Sequence, residues 1–242
     1  MNTDKLSIRL ATVAKYVQAE SRIADIGSDH AYLPCYLAKT TGISFAIAGE
    51  VAAGPYQSAE RNVQSEGLSS IISVRMGDGL EVIQPGEVDC ITIAGMGGSL
   101  ITSILENGKE KLGSVKRLVL QPNISAISIR KWFLENNWEL VAEEIMEEDG
   151  KIYEVLVAEK GDTSKPYQNQ LESGLLLGPF LSQNQEPAFQ KKWTMEIKNW
   201  KRIVDQLESA GETAETVEKK QELLNKIRLV EEVLKLEESY RA

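Results

Sequence analysis

The densest chemistry in the chain lies near its N-terminus, in Asp25-Ile26-Gly27-Ser28-Asp29-His30-Ala31-Tyr32-Leu33-Pro34. A short apolar run, Ile23 to Ile26, precedes a small-residue turn at Gly27-Ser28 and then a helix-like segment. Strand, tight turn and helix in that order form the nucleotide-binding unit of α/β domains. A dinucleotide fits it poorly. The pyrophosphate fingerprint G-x-G-x-x-G would need glycine at positions 29 and 32, where this chain has Asp29 and Tyr32. A carboxylate there repels phosphate, and a phenol blocks the close backbone approach that glycine permits. S-adenosylmethionine has no phosphate and carries a sulfonium and an ammonium, which suit an acidic turn. The alternative is an ordinary βα turn with incidental acids.

Three further strand ends carry similar residues. Phe45-Ala46-Ile47-Ala48-Gly49-Glu50 ends in an acid 25 positions after Asp25, a spacing that suits the two hydroxyls of a ribose. Ile72 to Met76 leads into Gly77-Asp78-Gly79, where a carboxylate or neighbouring backbone can accept from an adenine amino group. Asp89 to Ala94 runs into Gly95-Met96-Gly97-Gly98, where a ligand can lie against bare backbone. Each acid alone reads equally as a cap or a solvated loop residue. Four such strand ends in a row match the rule that ligands sit beyond the carboxyl ends of parallel strands. The expected cofactor-binding residues are Asp25, Gly27, His30, Glu50, Asp78, Gly79, Gly95 and Met96; His30 is otherwise a structural capping or core residue.

The blocks Leu6-Ser7-Ile8-Arg9-Leu10, Asp25 to Pro34, Ala48-Gly49-Glu50 with Gly54-Pro55-Tyr56-Gln57-Ser58-Ala59, Ile93-Ala94-Gly95-Met96-Gly97-Gly98 and Leu120-Gln121-Pro122-Asn123 together resemble the bacterial tRNA (adenine-22-N1)-methyltransferases. These are class I S-adenosylmethionine enzymes with a C-terminal helical hairpin. The resemblance covers the whole catalytic domain and, weakly, the tail. It implies methyl transfer from S-adenosylmethionine to N1 of adenine 22 of tRNA. Enzymes that methylate the exocyclic amine commonly carry an N/D-P-P-Y/F turn after the fourth strand; Ala94-Gly95-Met96-Gly97-Gly98 stands there instead. Asp29, Tyr32 and Asn123 are the expected substrate-side catalytic residues. Tyr32 would stack on the base, and Asp29 would accept from its amino group or face the cofactor ammonium. Gln121, Pro122 and Asn123 would border the base pocket. Two rival readings stand beside this one: methylation of a small metabolite, and a non-enzymatic scaffold of the same fold.

The elements that must position these residues follow from the apolar patterning. Residues 5–20 form an expected amphipathic helix, with Leu6, Leu10, Val13 and Val17 at helical spacing. Strand and helix patterns then alternate to about residue 136, which implies a doubly wound parallel sheet of the Rossmann-like class with helices on both faces. Trp138–Met146 and Tyr153–Ala158, joined across Asp149-Gly150, add an expected antiparallel edge. Gly161-Asp162-Thr163-Ser164-Lys165-Pro166 is a composition break, so residues 1–160 are expected as the catalytic domain and 161–242 as a second. Gly174, Gly178-Pro179 and Pro187 interrupt helix formation up to residue 187. Trp193, Ile197, Trp200, Val204 and Leu207 then mark a heptad seam, as do Leu223, Ile227, Val230 and Leu234, with Gly211 as a stop between them. Two such helices make a coiled-coil hairpin. On charge alone it packs on the domain or dimerises it. The resemblance turns it into a tRNA-binding arm bearing Lys191, Lys192, Lys198, Lys201 and Arg202.

Composition sets the outer limits. The net charge of −9 argues against an RNA partner until its location is traced. Residues 135–159 hold nine acids and one base, while the rest of the chain is nearly balanced. That acidic run reads as a solvated face, leaving other faces free. Cys35 and Cys90 read as buried free thiols, and a single histidine leaves no histidine-rich metal site. No apolar run is long enough to span a membrane. The expectation is a cytoplasmic protein, monomeric or weakly dimeric, with no metal and no membrane partner.

Overall fold

The computed structural model describes residues 2–168, 170–209 and 213–241. They divide into two compact units, Met1–Pro166 and Tyr167–Ala242. Contacts thus change partners just after the composition break that begins at Gly161.

The first unit is built on one seven-stranded sheet in the order β3-β2-β1-β4-β5-β7-β6. The strands are β1 (Arg22–Ile26), β2 (Phe45–Glu50), β3 (Ile72–Met76), β4 (Cys90–Gly97), β5 (Arg117–Ile124), β6 (Trp138–Glu148) and β7 (Lys151–Lys160). The first five run parallel. β7 returns antiparallel to β5, and β6 closes the edge against β7. The helices are α1 (Ile8–Lys15), α2 (Tyr32–Thr40), α3 (Ala53–Ser65), α4 (Gly98–Asn107) and α5 (Ala126–Glu135). β1, β2 and the start of β4 are almost wholly buried, as befits parallel strands covered on both faces. The doubly wound Rossmann-like sheet and its antiparallel edge are those expected from the alternation of patterns.

Two expectations need correction here. The first helix runs only from Ile8 to Lys15, not over 5–20. Its start is fixed from two sides. Ser7 Oγ accepts the Leu10 N–H, and the Glu148 carboxylate accepts the N–H groups of Ile8 at 2.6 Å and Arg9 at 3.2 Å. Leu6 and Val17 are still buried, so the apolar spacing outlasts the helix that it suggested.

The acidic run is the second correction. It is only partly a solvated face: Glu135, Glu147 and Asp149 are exposed, and most of the acids turn to partners in the fold. Glu143 and Glu154 are buried around Arg130, whose side chain is fully enclosed, at 2.6 and 2.7 Å. Glu144 holds Lys15 and the Tyr16 hydroxyl, Glu159 holds Arg117, and Glu139 holds Lys165. Consecutive acids of β6 serve different elements: Glu143 meets Arg130 of α5, and Glu144 meets Lys15 of α1. Cys35 and Cys90 are both buried and unbonded to each other; burial pushes their thiols up to about 11 and about 12.

The second unit holds α6 (Leu171–Leu177), α7 (Pro179–Asn184), α8 (Pro187–Ser209) and α9 (Ala214–Arg241). The segment before Pro187, expected to resist helix, forms two short ones. Gly174 lies inside α6 because Tyr167 packs on it; a Cβ there would meet the ring at 2.7 Å. Gly178, at φ 92°, separates the two helices, and Pro179 starts the second. Trp193 and Val204 of α8 and Leu223, Ile227 and Val230 of α9 are buried. Lys201 pairs with Glu231 at 2.8 Å and Glu208 with Lys220 at 2.6 Å, so α8 and α9 run antiparallel. Gly211 lies outside the described residues.

The Arg130 cluster gives a direct test of what holds the antiparallel edge. Arg130→Met leaves two carboxylates enclosed without their cation, which costs about 3–5 kcal/mol. Urea denaturation should show a loss of that size. An unchanged midpoint would mean that the carboxylates are satisfied by other groups.

Candidate active site

The parallel strands all end on one side of the sheet, and the predicted residues collect there. β1 gives way at Gly27, whose φ of +68° turns the chain. The N–H groups of Gly27 and Ser28 both donate to the Gly49 carbonyl of β2, at 2.9 and 3.2 Å. Asp25 is buried beneath this turn. Ser28 Oγ donates to it at 2.6 Å and Thr92 Oγ1 of β4 at 2.7 Å. Burial raises its pKa, and the two hydroxyls partly offset that. Asp25 therefore ties β1 to β4 as well as facing the turn. Thr92 was not singled out in the sequence, although a hydroxyl between Ile91 and Ile93 in a buried strand is a visible signal.

The turn continues through an unusual backbone. Asp29, His30 and Ala31 all have positive φ, at 42°, 69° and 55°. Left-handed geometry costs a non-glycine residue roughly 1–2 kcal/mol, and such strain persists where surroundings over-determine it. Here Asn62 of α3 donates to the His30 carbonyl at 2.9 Å, and the Asp29 N–H favours the charged form of the Glu50 carboxylate. His30 and Tyr32 stack, with centroids 5.3 Å apart and planes 20° apart. The His30 Nε2 lies 3.4 Å from the exposed Asp29 carboxylate. These three side chains form one cluster on the rim, and one face of Tyr32 is covered by His30.

Glu50 ends β2 and is only 5 % exposed, yet its Oε1 has no hydrogen-bond partner. Burial raises its pKa; the Asp29 N–H opposes the shift, and repulsion from Asp25 and Asp29 adds to it. A buried carboxylate oxygen without a donor asks for one, and paired hydroxyls of a ribose supply that chemistry. Val51 and Met76, both exposed, flank it at the adjoining strand ends. Gly27 lacks a side chain for a spatial reason too: a Cβ would lie 2.3 Å from the Met96 Cε. Met96 of β4 therefore lies over Gly27. Asp78 and Gly79 sit differently. The Asp78 N–H bonds Glu81, and Gly79, at φ +53°, packs on Ile104. Both shape a tight turn after β3, with the Asp78 side chain exposed.

A second cluster forms where β4 and β5 end. Pairing between them shifts register around Gly95, which has φ +80°. Its N–H donates to Gln121 Oε1 at 3.0 Å, and its carbonyl accepts from Asn123 Nδ2 at 2.7 Å. Gln121 is fully buried. Its Oε1 also accepts from Arg9 Nη1 at 2.6 Å, and its Nε2 donates to the Pro122 carbonyl at 2.8 Å. Asn123 thus holds the Gly95 peptide while standing exposed at the rim. Gly98 is needed for packing: a Cβ would lie 2.1 Å from the Ser125 carbonyl oxygen. Arg9 and Asn62, which sequence reasoning did not assign, brace the two clusters from α1 and α3. Neither gives a spacing signal, because both arrive through the tertiary fold.

Comparison with known proteins bears on this arrangement. The profile of tRNA (adenine(22)-N(1))-methyltransferases matches residues 23–232. A tRNA (adenine(22)-N(1))-methyltransferase of Bacillus subtilis (strain 168) is 52% identical over 235 residues, 97% of this chain and 99% of that protein. The crystal structure of the B. subtilis tRNA methyltransferase TrmK superposes with a TM-score of 0.92 at 51% identity, over 95% of this chain and 99% of that one. A Streptococcus pneumoniae structure in complex with S-adenosyl-L-methionine superposes with a TM-score of 0.79 at 42% identity, over 95% of this chain and 100% of that one.

Glu50 sets a stability prediction. A carboxyl whose pKa is raised by folding is easiest to bury when protonated. Its burden on the fold is absent below the unfolded value and grows as pH rises through the raised folded value. Glu50→Gln should therefore stabilise the ligand-free protein at neutral pH by roughly 1 kcal/mol, the scale of relieving one incompletely satisfied buried group. The gain should shrink on acidification. Thermal unfolding of both proteins across pH checks this; a variant less stable at neutral pH would mean that the ionised carboxylate is satisfied in the free protein.

Proposed function

The chain belongs to the tRNA (adenine(22)-N(1))-methyltransferase family, and from that premise we propose how its residues divide the work. It is an S-adenosylmethionine-dependent tRNA (adenine-N1)-methyltransferase, and the small-metabolite and scaffold readings fall with that membership. The methyl group goes to N1 of adenine 22. One observation carries the assignment of the cofactor cradle: the buried, unpartnered Oε1 of Glu50. It would accept from the ribose hydroxyls. Gly27 and Met96 would form the floor beneath the cofactor, Asp25 would hold the turn beside its charged end, and Val51 and Met76 would flank the adenine. S-adenosylmethionine supplies the electrophilic methyl group when bound.

The adenine N1 lone pair is free at neutral pH, so the protein has no proton to remove before attack. Its task is to take the base out of pairing, align N1 and exclude water. Positioning of this kind is worth up to about 7–11 kcal/mol. The Gly95 peptide, held at both its N–H and its carbonyl, is a rigid ledge for that purpose. Asn123 keeps this ledge and borders the base. Tyr32, backed by His30, presents its other face to the extruded adenine, and Asp29 accepts from the exocyclic amine or faces the cofactor ammonium. Asp78 and Gly79 contribute through the backbone of their turn.

The second unit is the tRNA-binding arm in this reading. Its support is the exposed Lys198 and Arg202 on α8; Lys201 is already paired with Glu231. The enzyme acts as a monomer or weak homodimer in the cytoplasm.

The experiment is methylation of unmodified tRNA followed by nucleoside mass spectrometry. 1-Methyladenosine at position 22 is expected; methylation at another position or atom would overturn the assignment. Tyr32→Phe should keep most turnover, whereas Tyr32→Ala should lose roughly ten- to hundredfold, the size of a base–aromatic stack. Joint Lys198→Glu and Arg202→Glu should weaken tRNA binding and its salt dependence, with S-adenosylhomocysteine affinity unchanged. Equal loss in both Tyr32 variants, or unaltered tRNA binding in the tail variant, would remove the corresponding role.

A further inference from the structure

Arg9 stands apart from the other inward-reaching arginines of the first unit. Arg75 meets Glu87 at 2.6 Å, Arg117 meets Glu159, and Arg130 meets Glu143 and Glu154. Each of those charges is neutralised in place. Arg9 is half-buried but has no carboxylate partner among the described residues. Its Nη1 donates to the neutral Gln121 Oε1 at 2.6 Å, and its Cζ lies 5.6 Å from the centre of the Tyr153 ring. The acid that reaches this end of α1, Glu148, spends its oxygens on the backbone N–H groups of Ile8 and Arg9. A guanidinium has five N–H donors in a fixed fork, so most of its capacity is left over.

Its position gives that capacity a use. A Cβ on Gly95 would come within 3.3 Å of the Arg9 Nη1, so the guanidinium lies against bare backbone at the ledge between β4 and β5. Glu50 and Gly27 belong to the β1–β2 end, on the other side of β4 in the sheet order. The anion that Arg9 faces is therefore on the substrate side. The strong anions of an RNA are its phosphodiesters, and the arginine fork matches two phosphate oxygens at once. We propose that Arg9 binds a phosphodiester of the tRNA beside the target adenine, fixing the backbone of the extruded nucleotide while its Gln121 bond holds the Gly95 ledge. This rests on the tRNA reading above.

Two substitutions separate charge from hydrogen bonding. Arg9→Gln keeps a polar amide on a shorter side chain without the charge; Arg9→Lys keeps the charge without the fork. Fluorescence anisotropy with unmodified tRNA over a salt series reads affinity and its salt slope, and calorimetry with S-adenosylhomocysteine reads the cofactor site. Arg9→Gln should bind tRNA about tenfold more weakly, with a slope shallower by about one unit. Arg9→Lys should recover most of the slope, and cofactor affinity should hold in both. A fall in S-adenosylhomocysteine affinity with an unchanged tRNA slope would overturn the proposal and assign the charge to the cofactor carboxylate. Lost turnover with tRNA affinity and slope intact would reduce Arg9 to a brace for Gln121. If the unaltered protein neither binds nor methylates tRNA, the underlying reading fails instead.

Discussion

Glu50 keeps a charge out of water with one oxygen unmatched, and the architecture around it makes that tenable. Unpaired buried polar groups are costly, so the carboxylate must be forced into place by surroundings that gain more than it loses. β2 supplies them: Ala46 to Ala48 are fully enclosed, and Gly49 accepts the two N–H groups of the first turn. The same turn delivers the Asp29 N–H to Glu50 and is itself held left-handed by Asn62. Strain, orphaned charge and rigid strands thus meet at one place, and in the proposed cofactor reading they form one preorganised cradle. Preorganisation cuts the ordering cost of binding, at the expense of stability in the free protein.

The antiparallel edge shows where the acids of this chain are used. Of the nine acids in residues 135–159, Glu139, Glu143, Glu144, Glu148, Glu154 and Glu159 all have internal partners in the fold. These acids are mortar between β6, β7 and the elements packed on them, while the net charge of the chain stays at −9. Glu148 and Glu144 fasten α1, and α1 brings Arg9 to the Gly95 ledge. The acidic edge therefore helps to build the site.

The sheet was legible because buried parallel strands are continuous apolar runs with short turns between them, and the placement of Asp25, Gly27 and Glu50 at the ends of those strands was legible with it. Boundaries were less so. Leu6 and Val17 keep helical spacing outside α1 because burial, not helicity, is what apolar spacing reports. The acids of β6 and β7 looked solvated because a sequence does not show that Arg130 of α5 lies between them. Asp78 and Gly79 share the strand-end signature and also shape the turn after β3. Thr92 could have been found from its polar position in an apolar strand. Arg9 lies in a block that the family resemblance marked, but its role and that of Asn62 were not visible, since each reaches the site from a separate helix through tertiary packing.

The central claim is that the ionised Glu50 oxygen is completed by the ribose of the cofactor. Calorimetry of S-adenosylhomocysteine binding, in buffers of different ionisation enthalpy at mildly acidic pH, tests it directly. Ribose hydroxyls stabilise the charged carboxylate, so binding should release a proton, seen as a heat that varies with buffer. The release should fade toward alkaline pH and vanish in Glu50→Gln. A buffer-independent heat across that range in the unaltered protein would contradict the account.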